Sequence, residues 1–250
     1  MDQIFLMKTL ILPLFILITL SSCAQQKSST GTDILKKAGG IFGKKNGSGL
    51  TNEEIVAGLK EALSVGARNS SDKLSAVDGF FGNALIKVLM PEEAKKVEST
   101  LRNLGMGNMV DNAILSMNRA AEEASKSAAP IFVDAITSMS IGDAFGILRG
   151  NDSAATSYLK GKTSVQLTNA FRPVIEQALQ KTNATKYWRD VFETYNKLPT
   201  TFNKVNTDLS AYVTERALNG LFVQVALEEQ KIRKDPAARV TDILRKVFGS

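Results

Sequence analysis

The chain has 250 residues, 44% of them hydrophobic, with one cysteine, no histidine and a formal net charge of +6; this is enough apolar material for one sizeable core. The absence of histidine excludes Ser-His-Asp and Cys-His catalysis, HExxH zinc sites and histidine-bearing di-iron bundles. A basic balance alone would suit a nucleic-acid partner, but the amino-terminal residues direct the chain elsewhere.

Residues 1–22 read as an export signal. Lys8 and the amino terminus supply positive charge, Thr9 to Leu20 a short apolar core, and Ser21 and Ser22 the small residues before a cut. Asp2 is out of keeping with a basic leader, and the competing reading is an uncleaved membrane helix. Such a helix needs about 20 apolar residues, and Lys8 interrupts the run. Leu20-Ser21-Ser22-Cys23 is the pattern of a lipoprotein signal, so Cys23 is the expected lipid attachment residue. As the sole cysteine, once lipidated it leaves neither a disulfide nor a thiolate nucleophile. Several acyl chains make such attachment effectively permanent. By analogy with the best-known sorting rule, Ala24 in place of aspartate favours the outer membrane, with the chain facing the periplasm. Anionic headgroups, not nucleic acid, are then the natural counterpart of the basic charge.

Residues 23–50 are expected to form a flexible basic tether. Lys27, Lys36, Lys37, Lys44 and Lys45 face a single acid, Asp33, among serines and glycines. As a random coil this segment would span roughly 30 Å root mean square. Ile34, Leu35, Ile41 and Phe42 offer an alternative, a short amphipathic stretch lying on the membrane.

The folded domain is expected over residues 51–250. Thr51 and Glu54 make a capping box, Leu50 and Ile55 are placed to staple across it, and Ile55, Leu59, Ala62, Leu63 and Gly66 share one helical face. A glycine- and asparagine-rich stretch near Asp78 to Asn83 interrupts the pattern. Leu85 to Leu89 suit either a short strand or a buried turn. Pro91-Glu92-Glu93 starts another helix, which Gly105 stops. Met109 to Ala128 form the next, with Val110, Ile114, Met117, Ala120 and Ala121 inward, and Pro130 begins its successor. Ser140 to Arg149, Ser153 to Lys160 and Ser164 to Lys181 read as three helices, the last two separated by Gly161-Lys162-Thr163. Trp188, Phe192 and Tyr195 form one apolar face of a helix ending before Pro199. Leu209 to Lys234 are the longest uninterrupted pattern, and Asp235-Pro236 then caps and restarts a last helix. With no fixed repeat and no βαβ alternation, the fold class is all-α: one bundle of about seven to nine helices.

Three segments resemble the family called domain of unknown function 4197: Ser116-Met117-Asn118-Arg119-Ala120-Ala121-Glu122, Asp143 to Tyr158, and Glu228 to Gly249. The resemblance runs from about residue 50 to the end. It implies an exported, mostly helical envelope lipoprotein, and it supplies no catalytic residues.

Two polar groupings stand out. Asn118, Arg119 and Glu122 lie in an otherwise small, apolar helix, with Asn118 and Glu122 four apart and so on one side of it. Arg233, Asp235 and Arg239 surround a helix junction, where Asp235 can cap and the arginines can bind an acid. Each suits a polar lock between helices better than a ligand site. The adjacent pairs Glu122-Glu123 and Glu228-Glu229 point about 100° apart on a helix and cannot face one substrate together, so they read as solvated faces and ion pairs. Ser-x-x-Lys at Ser70 to Lys73 and Ser157 to Lys160 lacks its companion motifs. Gly161-Lys162-Thr163 lacks the earlier glycine of a phosphate loop, Thr156 standing in its place. No metal, cofactor or catalytic residue is expected. The leading expectation is a non-enzymatic interaction or structural module of the envelope. The alternative is a carrier or sensor enclosing a lipid or other apolar molecule, and a carboxylate-dependent hydrolase stands third.

Overall fold

The computed structural model describes residues 51–197, 204, 208–235 and 245. The expected signal, Cys23 and the tether lie outside these residues, as do Arg239 and all of the expected last helix except Arg245. Helix α1, Asn52–Ser75, opens on the expected capping box: Thr51 Oγ1 accepts from the Glu54 amide, and the Thr51 amide donates to Glu54 Oε2 at 2.7 Å. A 3₁₀ turn at Glu92–Ala94 leads into α2, Lys95–Asn103, which ends at Gly105 with φ of +79°, backbone that glycine adopts without strain. Then follow α3 (Gly107–Ser125), α4 (Ala128–Thr137), α5 (Ile141–Arg149), α6 (Ala154–Lys181), α7 (Ala184–Asn196) and α8 (Leu209–Lys234).

The fold is all-α among the described residues. Leu85 to Leu89 form no strand: Asn83 to Ile86 turn, and residues 87–90 belong to no regular element. The reason lies in the partner, because the Val88 amide donates to, and its carbonyl accepts from, the Asn118 side chain on α3, and no strand occurs among the described residues. The other departure is α6, which runs unbroken through Gly161-Lys162-Thr163. Its buried side chains Leu159, Thr163, Leu167, Phe171, Ile175 and Leu179 keep one four-residue stripe across the expected break. Thr163 Oγ1 donates back to the Leu159 carbonyl at 2.7 Å instead of capping a new helix.

The long helices α6 and α8 pack together at the centre, with α3 and α4 against α6, and α1 against α4 and α8. Phe132 of α4 meets Phe222 of α8 edge to face, centroids 5.9 Å apart. Gly220 lets α8 come close to the turn after α1; a Cβ there would lie 2.6 Å from Phe80 Cε1 and 3.2 Å from Ile86 Cβ. By contrast α2 buries none of its own residues and rests mainly on α3 and the 3₁₀ turn. Among the described residues no single helix is long and apolar enough to cross a membrane. The pair that passes by composition, Gly107–Thr137 with Ile141–Arg149, is bent by 108° and buries Met117, Ala120, Ala121, Phe132 and Ile136 in the core.

Candidate functional site: two polar joints and an apolar cleft

The Asn118 group is a joint between α3 and the segment 76–91. Asn118, fully buried, accepts from the Val88 amide through Oδ1 at 2.8 Å and donates through Nδ2 to the carbonyls of Val88 and Ile114 at 2.8 and 2.7 Å. A side-chain amide therefore stands in for a neighbouring strand. One turn on, Glu122 Oε1 accepts from the amides of Phe80 and Phe81 at 3.1 and 3.2 Å. Its Oε2 takes Arg119 Nη1 at 2.6 Å, while Arg119 Nη2 donates to Asp78 Oδ1 at 2.7 Å. Glu122 foremost, then Asp78, raises the guanidinium pKa and holds its charge. Asp78 itself has φ of +66°, a region that aspartate tolerates better than most residues. These hydrogen bonds of Asn118, Arg119 and Glu122 all run to the protein itself and join α3 to the segment 76–91.

The second joint has a member that sequence reasoning missed. Glu229, buried on α8, accepts from the amides of Ala155 and Thr156 at 3.0 and 2.9 Å and from Thr156 Oγ1 at 2.8 Å. It supplies acceptors at the start of α6, where Ser153 makes no side-chain cap, and its charge faces the positive end of the helix dipole. Arg233 pairs with it at 2.9 Å and donates Nη2 to the Ile147 carbonyl at the end of α5 at 2.8 Å. The acid that Arg233 binds is therefore one turn back on its own helix. The Asp235 amide closes α8 on the Lys231 carbonyl; its expected role as cap of a following helix lies outside the described residues.

Residues of α2, α3 and α7 line an apolar cleft of about 660 Å³. Its apolar lining comes from Val97 and Leu101 of α2, Met109, Val110, Ala113 and Met117 of α3, and Trp188 and Phe192 of α7, with Met90 and Leu209. Trp188 and Phe192 pack at 4.5 Å between centroids. The apolar face expected on α7 is present; Tyr195 lies outside the residues whose side chains are described. Asn112, Ser116 and Thr182 are the polar lining, uncharged groups able to donate or accept hydrogen bonds. No group of three or more acids or sulfur ligands able to hold a metal occurs among the described residues. This lining favours binding of hydrocarbon surface, with a few polar contacts to orient it.

A family model described as a protein of unknown function, DUF4197, matches residues 49–249. The chain belongs to that family. The match spans the whole bundle, so both joints and the cleft are features of a DUF4197 domain in this chain. No curated protein and no solved structure matches it.

Proposed function

We propose that this DUF4197 protein is an exported, lipid-anchored envelope protein whose helical domain binds an apolar small molecule, as a carrier or sensor. The observation that supports binding is the cleft: its volume lies within the ~300–1,000 Å³ usual for small-molecule sites, and its walls are two helices with separate supports. Of the two leading expectations from sequence, it favours the carrier over the interaction module. Methionine at three positions, Met90, Met109 and Met117, gives a lining that adapts to different chain shapes. The signal ending at Cys23 supports the envelope location, and a tethered domain beside a bilayer would meet such molecules at high local concentration.

Trp188 is the only tryptophan of the chain and lies in the cleft wall, so its emission reports on occupancy. The protein started at Ala24 is purified from the periplasm and weighed by native mass spectrometry before and after denaturation. An added mass that unfolding releases, together with quenching of Trp188 by a bromine-bearing hydrocarbon, is the expected result. A native mass equal to the bare chain or a multiple of it, with Trp188 indifferent to the brominated probe, refutes the carrier and leaves the interaction module.

A further inference from the structure

A second cleft, of about 250 Å³, adjoins the first, and Met90 lines both. Its chemistry is different. Lys87, Lys95 and Arg216 line it with one acid, Glu92, among the apolar groups Leu85 and Val223. Lys95 is engaged with Glu92 at 2.7 Å. Lys87 and Arg216 are instead set on aromatic faces: Lys87 Nζ lies 3.7 Å from the centroid of Phe81, and Arg216 Cζ lies 5.8 Å from that of Tyr212. Neither forms an ion pair with a carboxylate among the described residues; the Arg216 charge is favoured first by a hydrogen bond to the Tyr212 side chain and, at longer range, by Glu215 and Glu92. A ring holds a cation in place without neutralising it.

The two clefts are one aromatic pair apart. Trp188, in the wall of the first, stacks on Tyr212, in the wall of the second, with centroids 6.1 Å apart and planes at 18°. The Tyr212 hydroxyl fixes this wall by donating to the Leu89 carbonyl at 2.8 Å, while Met90 beside it has a flexible side chain. A molecule that fills the apolar cleft and extends past Met90 reaches a cleft lined by three cations, Lys87, Lys95 and Arg216, and one acid, Glu92.

We propose that the second cleft receives the anionic head of an amphiphile whose hydrocarbon part occupies the first, with Arg216 and Lys87 as the head-group cations. This deepens the carrier reading and rests on it. The head is a carboxylate or a phosphate ester, either of which takes charge-assisted hydrogen bonds from guanidinium and ammonium.

The test compares ω-bromododecanoate with ω-bromododecanol, both below their aggregation concentrations, by quenching of Trp188 in the full mature protein. The carboxylate is expected to bind roughly tenfold more tightly, the range of one charge-assisted hydrogen bond. Lys87→Gln with Arg216→Gln should remove that preference by weakening the carboxylate alone, and Arg216→Lys in the wild-type background should keep it, which a merely structural role would not do. Equal binding of acid and alcohol to the wild type, or equal weakening of both by the double substitution, overturns the head-group assignment while leaving the carrier standing. Displacement of the bromoacid by equimolar inorganic phosphate would make this a free-anion site and also overturn it. Failure of both probes to quench refutes the carrier reading itself.

Discussion

Asn118→Asp is nearly isosteric and tests the first joint sharply. In the wild type the two ends of the amide are not interchangeable: the oxygen faces one N–H, and the nitrogen faces two carbonyls at 2.8 and 2.7 Å. An ionised aspartate would set a buried negative charge against both carbonyls, so the substituted side chain keeps its proton instead. A single hydroxyl proton then serves one carbonyl and leaves the other unserved, at a cost of about 1–3 kcal/mol even in mild acid. The folded-state pKa of this aspartate is raised, so the folded protein binds the proton more tightly than the unfolded chain. Stability is consequently highest below about pH 4 and falls as pH rises, by about 1.4 kcal/mol per unit until the folded pKa is passed. Between pH 5 and pH 7 that adds up to about 3 kcal/mol, a large share of a typical stability of about 5–15 kcal/mol. Urea unfolding followed by far-ultraviolet circular dichroism at several pH values measures it against wild type and Asn118→Ala. Asn118→Ala should lose a constant amount across the same range. A difference between Asn118→Asp and wild type that does not grow from pH 5 to pH 7 would refute the placement of the amide against two buried carbonyls.

Three further outcomes follow from the packing. Glu229→Ala strips two buried amides and the Thr156 hydroxyl of their acceptor and Arg233 of its carboxylate, and should cost about 3–5 kcal/mol in chemical denaturation; Glu229→Gln, which keeps one oxygen, should cost less. Gly161→Ala meets nothing within 4 Å and should stabilise α6 by about 0.5–1 kcal/mol through helix propensity, whereas Gly220→Ala drives a methyl into the fixed ring of Phe80 and should destabilise by about 1–3 kcal/mol despite the same propensity gain; a paired thermal-melt comparison reads the opposite signs. Asp143, whose pKa is lowered by the Ser140 hydroxyl and then by the Ser140 amide, contributes stability that is present above its unfolded pKa and lost as pH falls through the lower folded one, so Ser140→Ala should flatten the acid limb of an unfolding profile.

Local chemistry that acts over three or four residues was legible in the sequence. The Thr51-Glu54 box, the limits of α8 and the inward face of α3 all follow from spacing and capping alone. That Asn118 and Glu122 would be buried was legible because polar groups in an alanine-rich apolar stripe need internal partners, although those partners, the amides of Phe80, Phe81 and Val88, lie 30 to 42 residues away and have no pattern of their own. Gly161-Lys162-Thr163 misled because stop and cap residues act only when the chain has somewhere to turn; the stripe from Leu159 to Leu179 kept its register on α3 and α8, and packing outweighed the local preference. Glu229 was missed for a related reason. It sits beside Glu228 like one of a solvated pair, and its partners at Ala155 and Thr156 lie 74 and 73 residues away. The cleft left no mark because Val97, Leu101, Met109, Trp188 and Phe192 are the residue types of any core, and only their tertiary spacing separates lining from filling.

Helix α2 is a short cover that buries none of its own residues and leans on α3 and a single 3₁₀ turn. Its detachment would uncover one wall of the cleft while the α6–α8 pair, both joints and nearly all of the core stayed closed. The free energy of that excursion is set by a few side-chain contacts and not by the unfolding of the bundle. Loading and unloading would then run on the clock of one fraying element, visible as amide exchange in residues 95–103 far faster than in α6 or α8. A protein built this way could resist heat and denaturant and still trade its cargo quickly.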